Sequence, residues 1–169
     1  MAYIINEGKV GWQPIASTST VKNHPLGTIV RAVDPTFGEG EFIYLLGVGS
    51  TVVGSAVTYG ISTYQTSLAP VGTGLPQSIA FAMSANVASA YGWYQIGGIA
   101  VAKKALATSL ATGIAVGIKT IGLVSASASL QEVLGALVAA VSSSKSASSL
   151  TTVSLMINRP KMQGHQTIA

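Results

Sequence analysis

The chain has no cysteine, and with it go disulfides, thiolate nucleophiles and cysteine-ligated metal sites. Charge is nearly as scarce. Only 8% of the 169 residues are Asp, Glu, Lys or Arg, against roughly 25% in ordinary soluble domains. From Phe42 to Ala102 there is not one Asp, Glu, Lys, Arg or His. A lone subunit with so neutral a surface tends to associate, so the composition points to life in an assembly. The net charge of +4 arises from nine cations against five acids. It reflects a shortage of acids, because the cations are dispersed and the closest pair in the central region is Lys103-Lys104. Nucleic-acid binding needs clustered cations that neutralise several phosphates, and none is expected.

Long uniform hydrophobic runs are also missing. The charge-free window from Ile79 to Val101 could span a bilayer by length. It contains Ser84, Asn86, Ser89, Gln95 and three glycines, however, and such a segment inserts poorly as a helix. No membrane role is expected. The N-terminal "MAYIINEGKVGWQP" lacks a cationic start followed by an apolar stretch, so a secretory signal is not expected either.

What the sequence does contain is short apolar segments punctuated by turn residues. Residues 1–33 read as an extended N-terminal arm, with polar Ser and Thr, then Pro25 and Gly27, and one short strand at 27–33. After "DPTFGEG", strands are expected at 41–48, 51–60, 78–84, 92–102, 113–120 and 122–127, with 66–77 as a loop. Spacing of about ten residues between turn signals is that of an all-β protein, a compact sandwich or barrel-like domain. The β domain is assigned to 34–160 and a short polar tail to 161–169.

One region supports two readings. "SLQE" at Ser129–Glu132 has the form of a helix capping box, and Leu130, Val133, Leu134, Leu137, Val138 and Val141 follow at helical spacing. A short helix near 129–141 competes there with a strand, and the strand is favoured. Val153, Leu155 and Ile157 alternate with Thr152, Ser154 and Met156 as a further strand, which Pro160 is expected to end.

Groups able to do chemistry are few. Glu39 and Glu41 would share one face of a strand, but they stand at a turn lip and read as solvated. His24 and His165 have no acid or second His at ligand spacing. The glycine run "GVGSTVVG" lacks the Gly-Lys-Ser/Thr ending of a phosphate loop. No set of nucleophile, base and oxyanion donor can be assembled, so an enzyme is not expected, and neither is a cofactor or metal. Tyr44, Tyr91, Trp93 and Tyr94 read as core or subunit-interface residues.

At "GEGEFIYLLGV" with the following "VTY", "IAFAMSANV", "YGWYQIGGIAVAK" and "VSLMINRPKMQG", the sequence resembles the capsid decoration, or cement, proteins of tailed bacteriophages. The similarity runs from about Leu26 onward. It implies a β-rich virion protein on the outer surface of the capsid, a homo-oligomer with the trimer favoured, which clamps subunits of the major capsid protein and stabilises the mature shell. It also implies an extended arm reaching along that shell, with Lys22, His24 and Arg31 as capsid contacts. Two alternatives stay open, a tail-tube or spike subunit, and a carbohydrate-binding β module using Tyr91, Trp93 and Tyr94.

Overall fold

A computed structural model describes residues 4–5, 11–72, 76–106, 108–128, 131–140 and 152–163. The described chain is all-β and holds no helix. The strands are β1 (Ile4–Ile5), β2 (Thr18–Ser19), β3 (Ile29–Asp34), β4 (Gly38–Leu46), β5 (Ala56–Tyr59) and β6 (Thr66–Leu68). There follow β7 (Ile79–Ala82), β8 (Tyr91–Lys103), β9 (Ala115–Thr120), β10 (Leu123–Ala126), β11 (Glu132–Ala140) and β12 (Thr152–Met162). They form one antiparallel sheet in the order β1-β3-β4-β8-β12-β11-β9-β10, with β2, β5, β6 and β7 joined beside β8. The sheet curls into a half-barrel, so of the two expected architectures the barrel-like one describes it.

The long strand β8 organises this sheet. Its start pairs with β2 and β4, Tyr94 and Gln95 pair with β7, and Gly97 to Lys103 pair with β12. Serving four partners requires a bend, and the sequence "QIGG" supplies it. Glu41 stands opposite Gly97, but the next residue, Phe42, stands opposite Gln95, so Ile96 is the extra residue of a β-bulge. At Gly98 the backbone takes φ +89°, and a Cβ there would lie 2.3 Å from the Glu39 carbonyl oxygen. Only glycine fits.

Alternation along the strands sorts the apolar residues. Ala100 and Ala102 of β8 join Val116, Ile118, Val133, Val138, Val153, Leu155 and Ile157 in the largest core. Ile43, Leu45, Val57, Tyr94 and Ile96 form a second. Trp93, Phe42 and Tyr44 point to the opposite face and meet Ile15, Val30 and Ala32 in a third.

Residues 129–141 resolve in favour of strand over the described part, 132–140, while Ser129, Leu130 and Val141 lie outside the described residues. The buried set is Val133, Ala136 and Val138. Gly135, at φ +77°, sits between Leu134, paired with Lys161, and Ala136, paired with Ile157. This irregularity makes one step of the buried face three residues long, which imitates a helical period.

Two local expectations are corrected. Thr66–Leu68, placed in a loop on account of its neighbouring Pro and Gly, forms the short strand β6 against β5. Pro160 does not end the last strand, which continues to Met162. It lies where the β11–β12 register slips, and a bulge tolerates the missing N–H. Residues 11–33 contribute β2, paired with β8, and most of β3, paired with β4, to the sheet, with Ile15, Val30 and Ala32 buried. The tail residues 164–169, including His165, and the Ser-rich 142–149 are outside the described residues.

Candidate functional site

The aromatic residues singled out in the sequence do not make one surface. Tyr94 lies on the opposite side of β8 from Tyr91 and Trp93, as strand alternation requires, and its ring belongs to a different core. Its hydroxyl accepts a hydrogen bond from Asn86 Nδ2 at 2.6 Å. Burial raises the Tyr94 pKa, with the Asn86 bond acting the other way. Trp93 packs against Tyr44 at 4.9 Å between ring centroids, and Tyr44 stacks on the half-buried Tyr91 at 6.2 Å. Tyr44, Trp93 and Tyr94 are fully buried, so they fill cores and present no platform for stacking on a sugar.

The three arm residues Lys22, His24 and Arg31 separate in the same way. Lys22 is exposed. His24 is held among Trp12, Trp93 and Tyr44, with ring centroids 5.0, 5.5 and 5.1 Å away. Its Nε2 accepts a hydrogen bond from the Gln13 backbone N–H at 3.1 Å. Burial lowers its pKa below the usual histidine value. Gln13 fastens this segment down. It accepts from the Tyr44 hydroxyl at 3.0 Å and from Asn23 Nδ2 at 2.9 Å, while its backbone carbonyl accepts from Trp93 Nε1 at 2.9 Å.

Arg31 leads to the surface feature that carries most chemistry. The chain has only two arginines, Arg31 and Arg159, and both border one cleft of ≈ 370 Å³ together with Glu39, Glu41, Asn158 and the glycines 40, 97 and 98. Arg31 stands opposite Glu41 across β3 and β4. Its guanidinium lies 3.5 Å from Glu41 and 3.8 Å from Glu39, and Arg159 Nε lies 3.4 Å from the other Glu41 oxygen. Glu41, with a side chain 24% exposed, is thus shared by two cations. Exposed ion pairs of this kind contribute about 0–1 kcal/mol each, with more where several charges form a network.

Arg159 has a further peculiarity. Its φ is +43° and it immediately precedes Pro160. A side-chain-bearing residue in the left-handed region costs about 1–2 kcal/mol, and a following proline disfavours compact conformations further. The bulge in β12 enforces this geometry and turns the guanidinium into the cleft.

Next to the cleft, sharing Ile157 and Asn158 with it, lies an apolar groove of ≈ 400 Å³ lined by Glu132, Gly135, Ala136, Leu137 and Met156. Met156 is 55% exposed and Leu137 41% exposed. The two are cross-strand partners, and the row continues to Ile99 on β8 and Ala115 on β9. Cleft and groove adjoin through Ile157 and Asn158. Sequence reading passed over Arg159, Leu137 and Met156. The available signal was apolar residues at polar-phase positions of β11 and β12.

Among the described residues no three His, Asp or Glu side chains gather in a way that could hold a metal ion, and no helix is long and apolar enough to cross a membrane. The surface there presents exposed aliphatic side chains beside a cluster of two arginines and two glutamates. No protein-family model matches the chain, and no curated protein matches it.

Proposed function

We propose that this chain is a virion structural protein that binds the outer surface of a phage capsid and stabilises the mature shell by bridging coat subunits, in several copies and with the trimer favoured. The resemblance of the β4, β7, β8 and β12 sequences to decoration proteins points to this role. The observation that carries it is the surface on which both arginines and the exposed Met156–Leu137 pair come together on an otherwise charge-poor protein. Repetition by shell symmetry makes even a modest interface effective, because attachment at many sites multiplies weak contacts.

The test is the copy number of the chain relative to the major coat protein in purified particles, with heat resistance of particles lacking it. A number comparable to the coat protein and a loss of heat resistance on deletion are expected. A many-fold lower number transfers the chain to the tail or a vertex, and absence from particles overturns the reading.

A further inference from the structure

We infer that His24 is an acid-sensitive latch: with its ring neutral it holds residues 11–24 over Trp93 and Tyr44, and a proton added at Nε2 releases that segment while the rest of the sheet stays folded.

One hydrogen bond fixes the chemistry. His24 Nε2 accepts from the Gln13 backbone N–H at 3.1 Å, so the neutral ring carries its hydrogen on Nδ1. A proton taken from solvent then binds at Nε2 and turns that nitrogen into a donor facing another donor. The Gln13 N–H has to move away. Gln13 is where the segment is fastened to the sheet. Its side-chain oxygen accepts from the Tyr44 hydroxyl at 3.0 Å, its side-chain nitrogen donates to the Ser17 carbonyl at 2.7 Å, and its own carbonyl accepts from Trp93 Nε1 at 2.9 Å. Displacing Gln13 therefore loosens the segment from β4 and β8 together.

The remaining hold is slight. Among the described residues, the ladder between this segment and the sheet is the two-residue β2, with Thr18 opposite Gly92 and Ser19 opposite Tyr91. Ile15 is buried, but Val21 is 67% exposed. Trp12 Nε1 is buried and has no hydrogen-bond partner, and a donor left unpaired in the closed state makes opening less costly. Segments with few sheet bonds and little buried apolar surface open before the whole fold does.

The surroundings offer the charged ring no carboxylate. The rings on His24 are Trp12 of its own segment, Tyr44 of β4 and Trp93 of β8, with Tyr91 stacked behind Tyr44. Phenols stay uncharged in acid. Glu39 and Glu41, the acids of β4, lie against Arg31 and Arg159. Asp34, at the far end of β3, accepts from the Thr36 and Phe37 N–H groups. Lys22, two residues along, is exposed. The aromatic faces attract a cation, yet they leave the Gln13 N–H aimed at the nitrogen that gains the proton. Burial also disfavours the charged ring and lowers the His24 pKa from 6.5. Because the closed state has the lower pKa, the latch holds fully above pH 6.5 and weakens as pH falls through the closed-state value.

The experiment follows the isotope-labelled full chain by NMR from pH 7.5 to 5, with His165→Gln introduced so that His24 is the one histidine that titrates. The expected result is that the Trp93 indole N–H and the amides of residues 12–19 move toward free-chain positions with the same midpoint as the His24 ring, while amides of β9, β11 and β12 keep theirs. Adding His24→Gln leaves an amide oxygen to accept from Gln13 without titrating, and should keep the Trp93 indole in its closed position throughout. A Trp93 indole unmoved through the His24 titration would overturn the inference. So would the same movement in the His24→Gln chain, or a simultaneous loss of the β12 signals, which would make the event global unfolding.

Discussion

Gly98 is the position where a single methyl group should have the largest and most interpretable effect. Gly98→Ala introduces two separate penalties. The first is the left-handed backbone, φ +89°, which costs an L side chain about 1–2 kcal/mol. The second is steric, since the new Cβ would stand 2.3 Å from the Glu39 carbonyl oxygen and 3.0 Å from Gly40 Cα. Both are backbone atoms of β4 and cannot swing aside. Overpacking costs typically about 1–3 kcal/mol, so the total is about 2–5 kcal/mol. At about 2–4 °C per kcal/mol for a chain of this size, thermal unfolding should fall by roughly 10 °C. Two controls separate the terms. Gly113 has φ +81° with open space around its Cβ position, so Gly113→Ala should lose only the backbone part, about 1–2 kcal/mol. Gly97 is outside the left-handed region, and the atoms nearest its added Cβ belong to the Glu41 side chain, at 3.2 Å and beyond. Gly97→Ala should therefore be mild. Calorimetry or urea unfolding of the three variants measures the order. Equal losses for Gly98→Ala and Gly113→Ala would refute the close approach of β4 to the bend in β8.

His24 should make stability depend on pH. Its folded pKa lies below the unfolded 6.5 because burial disfavours the charged ring, so the unfolded chain binds the proton more readily. Its contribution is therefore whole above pH 6.5 and declines as pH falls through the folded value. Melting curves from pH 7.5 to 4.5 should show a shallower decline for His24→Phe than for the parent, and identical slopes would contradict this. Trp93→Phe deletes the donor to the Gln13 carbonyl, at a cost of about 1–3 kcal/mol, and should increase hydrogen exchange chiefly in residues 11–24. Tyr94→Phe and Asn86→Ala break one buried hydrogen bond from either side. Their double variant should cost less than the sum of the singles in denaturant unfolding, as partners in one contact do. Met156→Ser and Leu137→Ser touch no core and should alter stability by only about 0.5 kcal/mol. A large loss in either would mean that the outer face supports the fold.

The strands that were legible in the sequence are those whose pairing leaves the two-residue period intact. Val153, Leu155 and Ile157 alternate and are buried on one face of β12, and the apolar "FIYLL" forms the buried part of β4. Where a bulge intervenes, local pattern misleads in a definite way. Gly135 lengthens one step of the buried face of β11, from Val133 to Ala136, and of the described helically spaced residues Val133, Leu134, Leu137 and Val138 only Val133 and Val138 are buried. Pro160 interrupts a pattern without ending its strand, because the bulge accommodates it. In 11–33, Trp12, Ile15, Val30 and Ala32 belong to no common local period. What gathers them is Trp93 and Tyr44, far along the chain, and no window of neighbouring residues contains that information.

The candidate site was hidden for the same reason. Arg31 and Arg159 lie 128 positions apart and meet because β3, β4, β8 and β12 are consecutive in the sheet. Glu39 and Glu41 could be read as sharing a strand face, and they do flank the cleft, but their partners could not be named. The uncharged run from Phe42 to Ala102 now has a physical reason. It supplies β4 beyond its first residues, β5, β6, β7 and nearly all of β8, whose side chains enter cores on both faces of the sheet. A charge in those strand cores would have to be buried without a partner, at a cost of several kcal/mol, although exposed loop positions of the run such as Ile61 and Val87 are under no such constraint. The chain's few charges are thereby left to its other strands and loops, and at the edge of the bend in β8 four of them meet around three glycines. Gly97 and Gly98, which let β8 serve four partners, also line the cleft, so the bend and the cleft are consequences of one stretch, Gln95–Gly98.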